Sequence, residues 1–175
     1  MCKFTTEYWD HERSEDVDYN CDSKDEDILD SGLCIFHDEN YLQDKNNHKE
    51  HEQKVRDRLE IKVRNSIDQN EALLCVGYHL PDITIKQGNF TRPVYFSECE
   101  FQGLANFSLA KFSAEADFNS ARFSAEANFI SANFQGVTDF NKSTFFYRIY
   151  FSDRISPLLQ IPIREGHLYV AFRLS

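Results

Sequence analysis

The residues best suited to chemistry in this sequence are three cysteines and a histidine near its N-terminus. Cys34 and His37 form a Cys-x2-His pair, and twelve residues separate Cys21 from Cys34. Cys2 is the candidate fourth ligand, with His11 in reserve. Thiolates and imidazoles are the ligands that Zn²⁺ prefers in a tetrahedral structural site. The sequence therefore predicts a structural zinc site made by Cys2, Cys21, Cys34 and His37.

Two other interpretations of this cluster remain open. The segment lacks a Cys-x2-4-Cys pair, so the thiols could instead be unliganded and partly buried. A Cys–His nucleophilic site is a third interpretation, but no orienting residue or oxyanion-binding group can be named for it. A short segment with little apolar content gains most from a metal ligand set, which favours zinc.

The elements that must position these residues are short. Residues 1–47 form an acidic segment without clear periodicity. Apolar side chains recur every four residues between Lys49 and Ile67, which predicts a helix that either caps the next region or binds a partner. These side chains are Val55, Leu59, Val63 and Ile67. Residues 72–78 are predicted to form a buried strand that leads into the rest of the chain, so we assign 48–82 to a capping helix and a lead-in strand.

Phenylalanine dominates the second half of the chain. The chain has 16 Phe but one Met and one Trp. From residue 96 the Phe residues are separated alternately by five and six positions, and the same steps lead back to Phe90 and Ile85. The series is Phe96, Phe101, Phe107, Phe112, Phe118, Phe123, Phe129, Phe134, Phe140, Phe145 and Phe151. A strict period of eleven predicts a repeat architecture.

Small or uncharged residues precede each of these positions by two, as Ala116 precedes Phe118 and Ala127 precedes Phe129. A helix would scatter the Phe residues over several faces, since it turns by about 100° per residue. An ordinary strand would place alternate Phe residues in solvent, because steps of five reverse the face. Only a coil with corners, whose turns stack at the spacing of neighbouring strands, buries both series.

The units Ala116-Asp117-Phe118, Ala127-Asn128-Phe129 and Ala132-Asn133-Phe134 resemble the pentapeptide-repeat family, and the alternating extra residue resembles its Phe-type subgroup. The resemblance implies an all-β fold, a right-handed quadrilateral β-helix with a small N-terminal helical or irregular segment. It assigns thirteen units and about three coils to residues 83–151. Residues 152–175 are then a C-terminal cap, a homodimer contact as is common in the family, or a truncated or altered reading frame.

Charge restricts the function classes. The formal net charge is −10, and residues 1–93 hold 21 acidic and 12 basic side chains. This balance argues against direct binding of nucleic acid or anionic membranes. The N-terminus lacks the apolar stretch of a signal peptide, so we expect a cytoplasmic protein with reduced cysteines. Phe side chains at every unit are expected in the core rather than as a stacking platform for bases.

No phosphate-binding loop, carboxylate pair or Ser-His-Asp set is evident, so we expect a protein that is not an enzyme. The leading hypothesis is a scaffold that binds a protein partner, because a regular solenoid offers flat faces without chemistry. One alternative is a DNA mimic that regulates a type II topoisomerase, as some pentapeptide-repeat proteins do, through a stacked acidic row containing Glu115 and Glu126. Another is a zinc-stabilised adaptor that binds through its N-terminal segment.

Overall fold

The computed structural model describes residues 1–10, 12–23, 25–152, 159–160 and 169–173. The chain begins with an antiparallel hairpin of β1 (Thr5–Asp10) and β2 (Glu15–Asn20). Short 3₁₀ helices follow at Asp25–Asp27 and Tyr41–Gln43. The helix α1 spans His48–Gln69, where the sequence predicts one from Lys49 to Ile67. The hairpin within residues 1–47 was not predicted, because its numerous acidic residues conceal its strand alternation.

Short parallel strands make up the rest of the structure. In chain order they are β3 Leu73–Leu74, β4 His79–Leu80, β5 Ile83–Thr84, β6 Asn89–Phe90, β7 Val94–Tyr95, β8 Glu100–Phe101, β9 Ala105–Asn106, β10 Lys111–Phe112, β11 Ala116–Asp117, β12 Arg122–Phe123, β13 Ala127–Phe129, β14 Asn133–Phe134, β15 Thr138–Asp139, β16 Thr144–Phe145, β17 Arg148–Ser152, β18 Leu159–Gln160 and β19 Tyr169–Arg173.

These strands form a β-solenoid of about four coils with four parallel sheets. The first face contains β3, β7, β11, β15 and β18, and the second contains β4, β8, β12 and β16. The third face contains β5, β9, β13, β17 and β19, and the fourth contains β6, β10 and β14. The predicted all-β, four-sided β-helix is confirmed.

Phe side chains fill the interior as four ladders, one behind each face. Rings on successive coils stack nearly parallel, with centroids 4.7 Å apart for Phe118 and Phe140 and 4.5 Å apart for Phe101 and Phe123. The ladders are Cys75, Phe96, Phe118 and Phe140; Leu80, Phe101, Phe123 and Phe145; Ile85, Phe107, Phe129 and Phe151; and Phe90, Phe112 and Phe134. Every one of these side chains is buried, which confirms the predicted core.

Two kinds of corner explain the alternating steps of five and six. After the first and third faces the chain makes a tight corner, closed by bonds such as Ala121 N–H to Phe118 O (3.0 Å), with a left-handed residue such as Ser120 (φ 58°). A left-handed residue at the third position is the geometry of a type II turn. The corners after the second and fourth faces take one more residue, except for the corner after β4 in the first coil. A full coil is therefore two periods of eleven.

The solenoid starts earlier than predicted. β3 pairs with β7 and β4 pairs with β8, so the first coil begins at Leu73 rather than Ile83. The predicted strand over 72–78 is reduced to Leu73–Leu74, followed by a tight corner at Gly77 (φ 69°). About four coils replace the expected three. The Phe pattern conceals this first coil because Cys75 and Leu80 occupy its ladder positions.

Both ends of the solenoid have additional contacts. At the N-terminal end, α1 contacts β3, β4 and β6, with Val55 and Leu59 buried. At the other end, β18 pairs with β15 and β19 pairs with β17. The predicted C-terminal cap over 152–175, with its alternatives, otherwise lies outside the described residues. No helix in the described ranges has the length and apolar character needed to cross a membrane.

Candidate metal centre

The structure brings Cys2, Cys21, Cys34 and His37 together. One ligand atom from each lies within 4.8 Å of the others, and all four residues are buried. Cys2 lies three residues before β1, and Cys21 directly follows β2. The two thiols therefore hold the open end of the hairpin. Cys34 and His37 belong to a turn closed by the His37 N–H to Cys34 O bond of 2.9 Å.

The distances suit a tetrahedral ion. With Zn–S bonds of about 2.3 Å, the edge between two sulfurs of a tetrahedron is about 3.8 Å. Cys21 Sγ and Cys34 Sγ are 3.7 Å apart, Cys2 Sγ is 3.7 Å from His37 Nδ1, and Cys34 Sγ is 3.1 Å from it. The sulfurs are free thiols rather than a disulfide. The four side chains could therefore hold a metal ion at their centre.

The imidazole of His37 is oriented for ligation. Its Nε2 lies 3.0 Å from the carbonyl oxygen of Val76. A carbonyl only accepts, so Nε2 carries the proton and the lone pair of Nδ1 faces the sulfurs. A backbone carbonyl that fixes the second ring nitrogen is a common partner of metal-binding histidines. Val76 belongs to the first coil, so this bond also ties the cluster to the solenoid.

Other polar contacts reach the sulfur atoms of the cluster and favour a thiolate at Cys21. The backbone N–H of Cys34 donates to Cys2 Sγ at 3.3 Å, and Ser23 Oγ lies 3.1 Å from Cys21 Sγ. The hydrogen bond from the Cys34 thiol lowers the pKa of Cys21 and raises the pKa of Cys34, because the pair shares one proton. A thiolate is the form of cysteine that binds metal.

Aromatic rings enclose the cluster. The ring of Phe4 stacks on His37 with centroids 3.8 Å apart, and Tyr78 meets His37 edge to face at 5.0 Å. Phe4 also lies against the backbone of Gly77, where an added Cβ would collide with its ring. Gly77 occupies a left-handed position that other coils fill with Glu98 or Ser120, so it is the close approach of Phe4 that excludes a side chain here.

The other cysteines belong to the core. Cys75 and Cys99 are fully buried, and burial raises the pKa of Cys75 to about 12 and raises the pKa of Cys99. The Cys99 thiol donates to the carbonyl of Cys75 at 2.7 Å. His11, the predicted reserve ligand, lies outside the described residues. The supporting residues Phe4, Ser23 and Val76 were not predicted, and only Gly77 carries a sequence signal, a glycine beside an apolar run.

The prediction that Glu115 and Glu126 belong to one stacked acidic row, as a DNA mimic would require, is wrong. Residues stack at intervals of 22, so Glu115 and Glu126 lie half a coil apart, before β11 and β13 on opposite faces. The neighbours of Glu115 in adjacent coils are Pro93 and Val137. Those of Glu126 are Leu104 and Arg148. Neither glutamate belongs to an acidic row.

Comparison with known families agrees with this geometry. The family described as pentapeptide repeats, with nine copies, matches residues 89–132. No curated protein and no solved structure matches this chain. The matched segment spans β6, the second coil and the third coil as far as the corner after β13, and its Phe and small residues belong to the ladders described above. Residues 89–132 of the solenoid are thus pentapeptide repeats, and the Phe ladders are consistent with the Phe type of that repeat.

Proposed function

We propose that this protein is a non-enzymatic scaffold for protein–protein interaction whose N-terminal module, residues 1–47, is fastened to the solenoid by a structural zinc ion. The single observation that carries the proposal is the buried Cys3His cluster at the junction of the module and the first coil. A site with four protein ligands and no open position is typical of structural zinc.

A structural role agrees with what the cluster joins. Cys2 and Cys21 hold the base of the hairpin, whereas His37 is bonded to Val76 of the first coil. Phe36 stacks on Tyr78 of the same coil, with centroids 4.3 Å apart. An ion bound by the cluster would connect the hairpin, the Cys34 turn and the end of the solenoid. The end coil of a solenoid requires such a cover.

The surroundings offer little for catalysis. Stacked Phe rings fill the interior of the described coils, so no substrate can enter the solenoid. A groove between α1 and the first coil is lined by Arg58 and Lys62. Both cations are paired, Arg58 with Asp27 at 3.0 Å and Lys62 with Asp22 at 2.8 Å. A scaffold role in a reducing compartment such as the cytoplasm, with its thiols available to metal, fits these features.

Metal content is the first test. Protein purified without chelator should contain about one zinc per chain, and Cys34→Ser should lose it. Cys99→Ser is the matched control, because Ser143 occupies the equivalent place and donates to Phe118 O at 2.6 Å in the same way. Zinc that survives in Cys34→Ser, or its absence from the native protein, would remove the zinc part of the proposal.

The scaffold part requires a partner. The full chain, immobilised, should retain a protein that Cys34→Ser retains less if the module takes part in binding. Equal retention by both would place the binding on the solenoid faces. If neither retains a protein above background, the scaffold proposal is contradicted.

A further inference from the structure

The outer face of the N-terminal hairpin combines an exposed aromatic ring with unpaired negative charge. Trp9 is the only tryptophan of the chain and its side chain is 45% exposed. Glu7 and Asp18 are cross-strand partners, as are Trp9 and Asp16. Residues directly opposite each other in a hairpin point to the same side. The face therefore presents Trp9 beside three exposed carboxylates.

These carboxylates lack the basic partners that several other acidic side chains of the module have. Asp22 is paired with Lys62, Asp27 with Arg58, and Glu12 with Arg92 at 2.9 Å. In the described part of the chain, the carboxylates of Glu7, Asp16 and Asp18 have no ion pair or hydrogen bond. Residues 5–20 hold six acidic side chains and a single Arg. The negative charge on this face is therefore uncompensated.

The opposite face of the hairpin is occupied. Tyr8 meets Tyr95 of the second coil edge to face at 4.8 Å, and the Thr6 hydroxyl donates to Glu98 at 3.3 Å. Tyr19 is buried against Phe4 and Tyr8. The hairpin is thus fixed to the first face of the solenoid, which leaves its Trp9 face directed away from it. A rigid support reduces the entropy lost when a partner binds.

We propose that this face, defined by Glu7, Trp9, Asp16 and Asp18, binds an Arg- or Lys-rich segment of a partner protein. A guanidinium or ammonium group gains cation–π attraction when it lies within about 6 Å of an indole ring. At Trp9 the same cation would lie beside the carboxylate of Asp16, its cross-strand neighbour. Charge complementarity also accelerates the encounter with a basic segment. The inference rests on the proposed scaffold function and names its partner chemistry.

The fluorescence of Trp9 gives a direct test in the whole 175-residue chain, purified without chelator. A synthetic eight-residue peptide of alternating Arg and Gly should change the emission in a saturable manner, and raising the salt from 50 to 200 mM should weaken binding several-fold. A peptide with citrulline in place of Arg keeps the shape and removes the charge. It should bind at least tenfold more weakly.

Matched charge variants locate the site. Asp16→Asn with Asp18→Asn should weaken peptide binding about tenfold or more, whereas Glu115→Gln with Glu126→Gln changes the net charge equally on the solenoid and should have little effect. One zinc per chain in each variant would show that the hairpin base is intact. Equal weakening in both pairs, or equal binding of the citrulline peptide, would overturn the inference.

Two further outcomes separate the possible occupants. A Trp9 emission shift that depends on protein concentration without any peptide would identify a second copy of the chain as the occupant and overturn the inference. A protein partner retained equally by the native chain and by the Asp16→Asn, Asp18→Asn variant would also overturn it. The scaffold function would stand in that case, because retention itself would be intact.

Discussion

The solenoid and the N-terminal module achieve stable packing by opposite means. In the solenoid, each Phe rests on the equivalent Phe of the next coil, and stability is distributed over many similar contacts. In the module, four side chains from distant positions converge on one point. A repeated contact tolerates the loss of one unit, whereas a single ligand set fails when one member is removed. The two regions should therefore respond differently to the same perturbations.

Removal of the proposed zinc ion should have the largest effect and should act on one region. Structural zinc contributes about 10–16 kcal/mol in isolated zinc-binding peptides, so a strong chelator should unfold the module. The solenoid should keep its strands because its ladders do not include the cluster. Hydrogen exchange would show loss of protection in β1 and β2 with protection kept in β11 and β13. Loss of protection in all four strands would show that the two regions unfold as one.

A core substitution should produce the converse result. Phe118 is fully buried, 4.7 Å from the ring of Phe140 and 5.5 Å from that of Phe96. Phe118→Ala should lower the free energy of unfolding of the solenoid by about 3–5 kcal/mol. Metal content should not change. Denaturant unfolding measures the free energy of unfolding, and metal analysis measures the metal content.

The matched control is Phe146→Ala, at an exposed corner where the ring is 49% accessible. Its only aromatic or charged contact described is with Arg122, 4.2 Å from the ring centroid. The free energy of unfolding should fall by about 1 kcal/mol or less. Similar losses for the two variants would contradict the assignment of stability to the ladders.

The stability of the solenoid should depend on pH through one buried carboxyl group. Asp117 on the first face is 1% exposed, and burial raises the pKa of its carboxyl to about 7, with Asp139 on the next coil adding to the rise. Because this pKa is raised in the folded state, Asp117 contributes stability below pH 3.8 that is lost as the pH rises through about 7. The solenoid should weaken over that interval.

Asp117→Asn should remove this dependence. Asn128 makes the same turn on the third face, where its Oδ1 accepts the N–H of Ile130 at 2.9 Å, so the substitution keeps the local geometry. At pH 8 the variant should be about 1–3 kcal/mol more stable than the native chain. Denaturant midpoints at pH 5 and pH 8 measure the difference. A pH dependence in the variant equal to that of the native chain would refute the prediction.

The smallest effect concerns the tight corners. Ser131 has φ 58°, a left-handed conformation that costs a non-glycine residue about 1–2 kcal/mol. Ser131→Gly removes this cost but adds freedom to the unfolded chain, so a net gain of about 0.5–1 kcal/mol is expected. Ser124→Gly, at a corner without positive φ, should instead lose a few tenths of a kcal/mol. Thermal unfolding measures both, and equal shifts would contradict the distinction between the corners.

The sequence predicts the solenoid better than the N-terminal module, because the contacts of the solenoid repeat and those of the module do not. Phe118 and its equivalents repeat, so each one confirms the others and the fold follows. Cys75 and Leu80 occupy the same ladder positions without the Phe signature, which conceals the first coil. The four cluster residues can be proposed from ligand chemistry alone. The role of the Val76 carbonyl in orienting His37 cannot be predicted from the sequence. Any backbone carbonyl could accept this hydrogen bond, and only the fold determines which carbonyl lies beside His37.

The two kinds of corner restrict how this chain can change its length. One tight and one wide corner together take eleven residues, and a full coil takes 22. Deleting eleven residues would therefore leave every Phe in a ladder and every corner in sequence. It would also rotate every residue after the deletion by half a turn. Residues that stack on Asp117 in the first face would then stack on the residues equivalent to Asn128 in the third face. Only losses or gains of 22 residues keep each surface on its own side. The packing of the interior therefore tolerates changes of half a coil. Only a function of the outer surfaces would restrict length changes to whole coils.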